Sequence, residues 1–155
     1  QNQTNMKYTT EVVVDVPREE FILKMMDPEN MKHWQKGLLG YEQLSPKPGQ
    51  EGAQMSLSYK MGKRDLSMVE TIIKKNLPEE MHMTYDTKGV HNIQKNYFKE
   101  EGNKTRWISE SEFQFSGLGM KLMGLLMPGA FKKQSLAYME DFKAFAEKGE
   151  SVLNN

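Results

Sequence analysis

The feature that most constrains the fold is a run of six strand-like segments between residues 38 and 115, joined by short turns. The segments alternate in polarity or are rich in β-branched and aromatic residues, and they read LLGYEQLS (38–45), AQMSLSYKM (53–61), RDLSMVETIIKKN (64–76), MHMTYDT (81–87), VHNIQKNYFKE (90–100) and KTRWISESEFQF (104–115). Pairs such as Gly62-Lys63 and Lys88-Gly89 separate neighbouring segments. Because links this short join only antiparallel neighbours, the run predicts a meandering antiparallel sheet.

A strand and two short helices are predicted before this run. The segment MKYTTEVVVDV (6–16) is rich in Val, Thr and Tyr, as strands are. Pro17 and the acidic residues after it predict the first turn of a helix over REEFILKMM. Asp27-Pro28 repeats the start signal and predicts a second short helix that ends near Trp34.

One long amphipathic helix is predicted at the C-terminal end. Phe131, Tyr138, Phe142 and Phe145 are spaced 7, 4 and 3 residues apart, which places them on one stripe of a helix. We expect Phe131, Phe142 and Phe145 to be buried against the sheet. The order of strand, two helices, six strands and one helix indicates an α+β domain.

The composition excludes several classes of function. The chain has 21 basic and 21 acidic residues, so no net positive field favours a nucleic-acid partner. It has no cysteine, which excludes disulfides, thiolate metal sites and cysteine nucleophiles. No apolar run approaches the roughly 20 residues of a membrane span. The 13 methionines predict a core built partly from flexible side chains.

A chain of 155 residues suits one domain. We expect this domain to span residues 6–148. The first residues, QNQTN (1–5), are interpreted as an N-terminal extension or an expression remnant, and residues 149–155 as a loose C-terminal tail. A cytoplasmic protein is expected, and export stays open because the native N-terminus is not known from the sequence.

Three stretches resemble the START-like (SRPBCC) superfamily. VDVPREEFILKMMDPENMKHW is similar to its opening strand and helix, EEGNKTRWISESEFQF to its penultimate turn and last strand, and GLGMKLMGLLMPGAF to the start of its closing helix. The resemblance implies the helix-grip fold, in which a seven-stranded curved antiparallel sheet surrounds a long C-terminal helix, with two short helices after the first strand. It also implies a cavity between sheet and helix that holds a lipid-like or aromatic apolar small molecule.

Binding or transport of such a molecule is the function we expect, but the resemblance leaves two alternatives open. Polyketide cyclases and chaperone regulators share this scaffold, so the fold alone does not determine the function. A cyclase- or dehydratase-like enzyme and a protein-interaction module are therefore the alternatives.

Neutral side chains on alternate strand positions are expected to point into the cavity. The predicted ligand-binding residues of the sheet are Met55, Leu57, Tyr59, Met83, Tyr85, Gln94, Asn96, Phe98, Trp107, Ser109, Ser111 and Phe113. An internal hydrogen-bond network with trapped water explains the polar members equally well. The inward face of residues 64–76 stays open, because Met68, Glu70 and Ile72 are about as apolar as the residues between them.

The apolar segment 118–131 is expected to start the closing helix at the mouth of the cavity. Met120, Met123 and Met127 are predicted to contact the ligand there. Pro128 removes a backbone donor and predicts a helix that kinks or loosens between Gly124 and Gly129. We therefore interpret the segment as a gate, with core packing or a transient membrane contact as alternatives.

The sequence shows no catalytic or metal-binding constellation. His33, His82 and His91 lack the spacing of metal ligands, and each is predicted to lie on the surface. Tyr59 and Tyr85 can donate protons, but no base is predicted beside them. We therefore expect no cofactor and a binding protein rather than an enzyme, while the ligand and the oligomeric state are left open.

Overall fold

The computed structural model of the protein describes residues 4–117 and 128–154. The strands are β1 (Thr4–Val14), β2 (Leu38–Gln43), β3 (Gln54–Met61), β4 (Arg64–Asn76), β5 (Glu80–Thr87), β6 (Val90–Glu101) and β7 (Lys104–Phe115). The helices are α1 (Arg18–Met26), α2 (Met31–Trp34) and α3 (Pro128–Lys148), with 3-10 turns at Pro28–Asn30 and Val152–Asn154. None of the helices in these ranges is long and apolar enough to cross a bilayer.

The seven strands form one antiparallel sheet in the order β1-β7-β6-β5-β4-β3-β2. Strands β2 to β7 follow one another as a meander, and β1 pairs with β7. The predicted order of elements and the predicted antiparallel sheet are therefore confirmed. Helices α1 and α3 pack on the same face of the sheet, which we call the inner face.

The two-residue turn at Gly62-Lys63 determines which side chains of β4 lie on the inner face. Met61 pairs with Arg64 at this turn, so Leu57 lies opposite Met68 further along the hairpin. Leu57 is 1% exposed and belongs to the core. Because directly paired residues share a face, Met68 and, by alternation, Glu70 and Ile72 also point inward, up to the register shift between Ile72 and Lys74.

A cluster of aromatic rings forms the core where α1 and α3 meet the sheet. The ring of Phe142 on α3 lies 4.9 Å from Phe21, 5.2 Å from Trp34 and 5.6 Å from Trp107, each at a steep angle. Edge-to-face geometry of this kind is the favoured arrangement for aromatic pairs. Phe142 is fully buried, so this part of the helix prediction is confirmed.

The other two phenylalanines of the predicted stripe are only half-buried. Phe131 lies near the start of α3 as described, and its ring packs 4.9 Å from Phe113 and 5.6 Å from Phe115. Phe145 stacks on His33 at 5.5 Å. Both therefore contact the core from its margin, and the prediction of full burial holds for Phe142 alone.

Regular structure extends beyond both predicted domain limits within the described residues. The sequence predicts a domain start at residue 6, but β1 begins at Thr4, where it pairs with Phe115. The sequence also predicts a loose tail after residue 148. Ser151 nevertheless lies 2.9 Å from the Nδ1 atom of His33, and the turn Val152–Asn154 packs near α2.

Candidate functional site

The inner face carries rows of neutral polar side chains across β6 and β7. Asn96 lies opposite Ser109, and Gln94 lies opposite Ser111. The side chains of Asn96, Ser109 and Ser111 are buried, whereas Gln94 is half-buried. The inward faces predicted for these two strands are therefore the ones observed.

Much of this polar surface is hydrogen-bonded to itself. The Nε1 atom of Trp107 donates to Oδ1 of Asn96 at 2.9 Å. The amide of Gln94 donates to Oδ1 of Asn92 at 2.9 Å, and Nδ2 of Asn92 donates to Oγ of Ser111 at 3.0 Å. Such bonds satisfy groups that would be costly to bury alone. Asn96 and Ser111 thus have structural partners, as the network alternative predicts.

Two of the predicted ligand-binding residues belong to the packed aromatic cluster. Trp107 is 7% exposed and Phe98 is 2% exposed, and both rings contact Phe21. In this structure, Trp107 and Phe98 offer little surface to a ligand. Both residues lie at the closed end of the inner face, next to α1.

A carboxyl group that sequence reasoning did not assign lies on the inner face of β4. Glu70 stands opposite Met55 of β3 on one side and Tyr85 of β5 on the other. The Tyr85 hydroxyl donates to Oε2 of Glu70 at 2.8 Å, and it also lies 3.7 Å from the sulfur of Met83. Predicted residues Met55, Met83 and Tyr85 are thus brought together around an acid.

Burial perturbs the titration of this group. Desolvation raises the pKa of Glu70, and the hydrogen bond from Tyr85 lowers the same pKa in part. The pKa of Tyr85 is raised well above its usual value, first by burial and then by the negative charge of Glu70. A carboxyl that resists ionisation and a hydroxyl that stays neutral therefore face each other.

Tyr59 completes a cluster of titratable groups beside Glu70. Its hydroxyl donates to Oε1 of Gln35, and burial raises the pKa of Tyr59, with further contributions from Tyr138 and from Glu70. The Tyr59 side chain is itself buried with Met55 and Leu57. We call Glu70, Tyr85 and Tyr59 the acid–tyrosine cluster.

Several inward-facing side chains near this cluster keep solvent-accessible surface. Six side chains on the inner face are only half-buried: Met68, Glu70, Met83, Tyr85, Gln94 and Phe113. The backbone of α3 runs close to β1 and α2 and stands farther from β4, β5 and β6. We call these six residues the accessible strip. Predicted contacts Met120, Met123 and Met127, and the gate around them, lie outside the described residues.

The histidines are placed differently from one another. His82 is 7% exposed on the outer face, where its ring packs edge-on against Tyr97 at 5.3 Å, so the prediction of a surface position is wrong. Desolvation lowers the pKa of His82. His91 pairs with Asp86 on the outer face. Within residues 4–117 and 128–154, no three His, Cys, Asp or Glu side chains are grouped as metal ligands.

Comparison with known proteins identifies the fold. No protein-family model and no curated protein sequence matches the chain. Among solved structures, Ara h 8.0201 superposes with a TM-score of 0.74 at 11% identity, covering 98% of this chain and 100% of that chain. The chain has the START-like, helix-grip fold.

Two further solved structures share this START-like fold. Norcoclaurine synthase from Thalictrum flavum, in complex with dopamine and hydroxybenzaldehyde, matches with a TM-score of 0.68 at 14% identity, covering 92% of this chain and 86% of that chain. The di-domain ARO/CYC protein BexL matches with a TM-score of 0.74 at 14% identity, covering 92% of this chain and 50% of that chain. At these identities the likeness establishes the architecture and leaves the chemistry to the residues of this chain.

Glu70 escaped sequence reasoning because both faces of its strand are similarly apolar. The turn at Gly62-Lys63 nevertheless contained the information that places Glu70 on the inner face. A two-residue hairpin fixes the pairing of every residue after it, which places Glu70 opposite Met55. Since Met55 alternates clearly with polar neighbours, the register identifies Glu70 as inward-facing.

Proposed function

We propose that this START-like protein binds an apolar small molecule, lipid-like or aromatic, between the inner face of the sheet and α3. The observation that carries the proposal is the accessible strip. Six inward-facing side chains retain surface there although the aromatic cluster beside them is closed. Interiors of proteins pack densely, so accessible surface on an inner face indicates space for a ligand.

The strip suits a guest with a largely apolar body. Met68 and Met83 have flexible, polarizable side chains that adapt to ligands of different shape. Phe113 offers an aromatic ring, and Gln94 and Glu70 offer polar atoms that can orient the guest. A ligand of the size of a small aromatic molecule is supported by a protein with this fold, norcoclaurine synthase, whose structure holds dopamine and hydroxybenzaldehyde.

Binding is the function proposed here in preference to catalysis. Glu70 is a carboxyl suited to acid–base chemistry, and Tyr85 is its hydrogen-bond partner. A reaction also needs a bound substrate held in a reactive geometry beside such a pair. The half-buried side chains of the accessible strip support a binding surface, and no observation on the described residues identifies a substrate atom beside Glu70 and Tyr85.

The experiment fills the strip from one side and compares the result with a control on the opposite face. Gln94→Phe adds bulk on the inner face of β6, and Lys95→Phe adds the same ring on its exposed outer face. The neutral fluorophore N-phenyl-1-naphthylamine is titrated into the parent protein and both variants. We expect Gln94→Phe to raise the Kd at least about tenfold, the equivalent of about 1.4 kcal/mol, and Lys95→Phe to leave it within about twofold.

Both variants must show the parent's circular dichroism spectrum for the comparison to count. If the two variants weaken binding equally, or if neither does, the fluorophore binds outside the strip and the proposal is wrong.

A further inference from the structure

Glu70 is an acidic group on the inner face that has no counter-charge in the described part of the chain. None of the ion pairs among residues 4–117 and 128–154 includes it. Its hydrogen-bond partner there is the neutral hydroxyl of Tyr85. Inward-facing neighbours on the next strands, Asn92 and Gln94, are neutral amides. A partly desolvated carboxylate is costly without a compensating partner, and no positive charge among residues 4–117 and 128–154 pairs with this one.

The groups around Glu70 favour a cation as that partner. Tyr85 donates to Oε2, which stabilises the ionised carboxylate and leaves Oε1 without a hydrogen-bond partner among the described residues. The Tyr85 hydroxyl that donates to Glu70 also lies 3.7 Å from the sulfur of Met83, and Tyr59 is near enough for the charge of Glu70 to raise the pKa of Tyr59. Polarizable sulfur and aromatic side chains therefore lie beside the carboxyl. Aromatic faces attract ammonium groups, and more strongly when water is excluded.

We propose that Glu70 recognises the protonated amine of a ligand whose apolar body lies along the accessible strip. The ammonium group donates to Oε1 of Glu70 and lies against the rings of the acid–tyrosine cluster. Met68, Met83 and Phe113 contact the apolar body. This inference rests on the proposed function, because it names the chemical class of the ligand bound at the same site.

The proposal predicts a pH dependence with a definite sign. The titratable groups that face Glu70 are Tyr85 from β5 and Tyr59 from β3, and Tyr138 from α3 faces Tyr59. Burial raises the pKa of each of these tyrosines above its usual value, so they stay neutral while Glu70 titrates. Amine binding requires the carboxylate. Amine affinity therefore rises with pH, by up to about tenfold per pH unit, until Glu70 is ionised in the free protein.

The experiment uses a matched pair of probes that differ in charge only at one end. Binding of 4-phenylbutylamine and of 4-phenylbutan-1-ol is measured by isothermal titration calorimetry between about pH 5 and about pH 8, where the amine stays protonated. Both are titrated into the parent protein, Glu70→Gln and Glu110→Gln. Glu110 is exposed on β7, so its variant removes the same charge from the outer face.

The expected result separates the two probes. A charge-assisted hydrogen bond predicts that Glu70→Gln weakens amine binding by roughly ten- to hundredfold and leaves alcohol binding within about twofold. Glu110→Gln changes neither. In the parent protein the amine binds more tightly as pH rises, whereas the alcohol does not. This pH series tests the proposal even if Glu70→Gln fails to fold.

Two outcomes would overturn the proposal in distinguishable ways. If both probes bind and Glu70→Gln changes them equally, or amine affinity in the parent is independent of pH, the strip binds apolar molecules but Glu70 does not recognise amines. A neutral ligand that accepts a hydrogen bond from protonated Glu70 would show the opposite trend, binding more weakly as pH rises. If neither probe binds the parent, the proposed function itself fails, and the amine site with it.

Discussion

Truncating Phe142 tests whether α3 is part of the core, because this ring is the point at which α3 meets α1, α2 and the sheet. Phe142 is 0% exposed and contacts three aromatic rings at 4.9 to 5.6 Å between centroids. Replacing a fully buried Phe by Ala removes its transfer free energy and leaves a cavity, at a cost of about 3–5 kcal/mol. In a domain of this size each kcal/mol lowers the Tm by about 2–4 °C, so Phe142→Ala should lower it by about 6–20 °C.

The assay is urea unfolding followed by circular dichroism, with the thermal melt as a second measurement. Lys133→Ala is the control, since Lys133 is exposed on the same helix. Exposed substitutions of this kind change the free energy of unfolding by about 0.5 kcal/mol or less. If Phe142→Ala and Lys133→Ala have the same midpoint and the same slope in urea, α3 is not part of the core.

Two further predictions concern the turn before β2 and the acid on β4. Gly37 has φ +89°, and an added Cβ would lie 2.8 Å from the backbone oxygen of Lys60. Gly37→Ala should therefore lower the free energy of unfolding in urea by at least about 1–2 kcal/mol. Gly40 has open space around it, so Gly40→Ala should change that free energy by no more than about 0.5 kcal/mol, and equal losses in the two variants would contradict the prediction. Because burial raises the pKa of Glu70, the unfolded chain ionises first as pH rises and the carboxyl lowers stability above its unfolded pKa. Glu70→Gln should therefore gain stability relative to the parent between about pH 4 and neutrality, and a gap that is independent of pH would contradict this.

The parts of the fold that could be read from the sequence are those fixed by local rules. Two-residue turns such as Gly62-Lys63 determine strand neighbours and direction without knowledge of the rest of the chain. Alternation on β7 identified Trp107, Ser109 and Ser111 as inward-facing, because their neighbours on the other face are charged or large. A period near 3.6 residues likewise identified the closing helix.

What the sequence could not supply depends on contacts between distant residues. Alternation places Trp107 on the inner face but does not show that Phe21 and Phe142 close over it. The sequence predicts a surface position for His82 because it falls on the more charged face of its strand, yet Tyr97 on the next strand packs against its ring. Glu70 required register as well as polarity, since polarity alone places a carboxylate outside.

Binding at the accessible strip is tested most directly by observing which methionine methyl groups contact a bound apolar molecule. The protein is labelled with ¹³C at its methionine methyl groups, and the signals of Met68, Met83 and Met61 are assigned by single substitutions to Leu. Met68 and Met83 belong to the accessible strip, whereas Met61 is 49% exposed at the β3–β4 turn. On titration with 4-phenylbutan-1-ol, we expect saturable shifts of the Met68 and Met83 signals and an unchanged Met61 signal. Saturable binding that shifts Met61, or leaves both strip methionines unchanged, would contradict it.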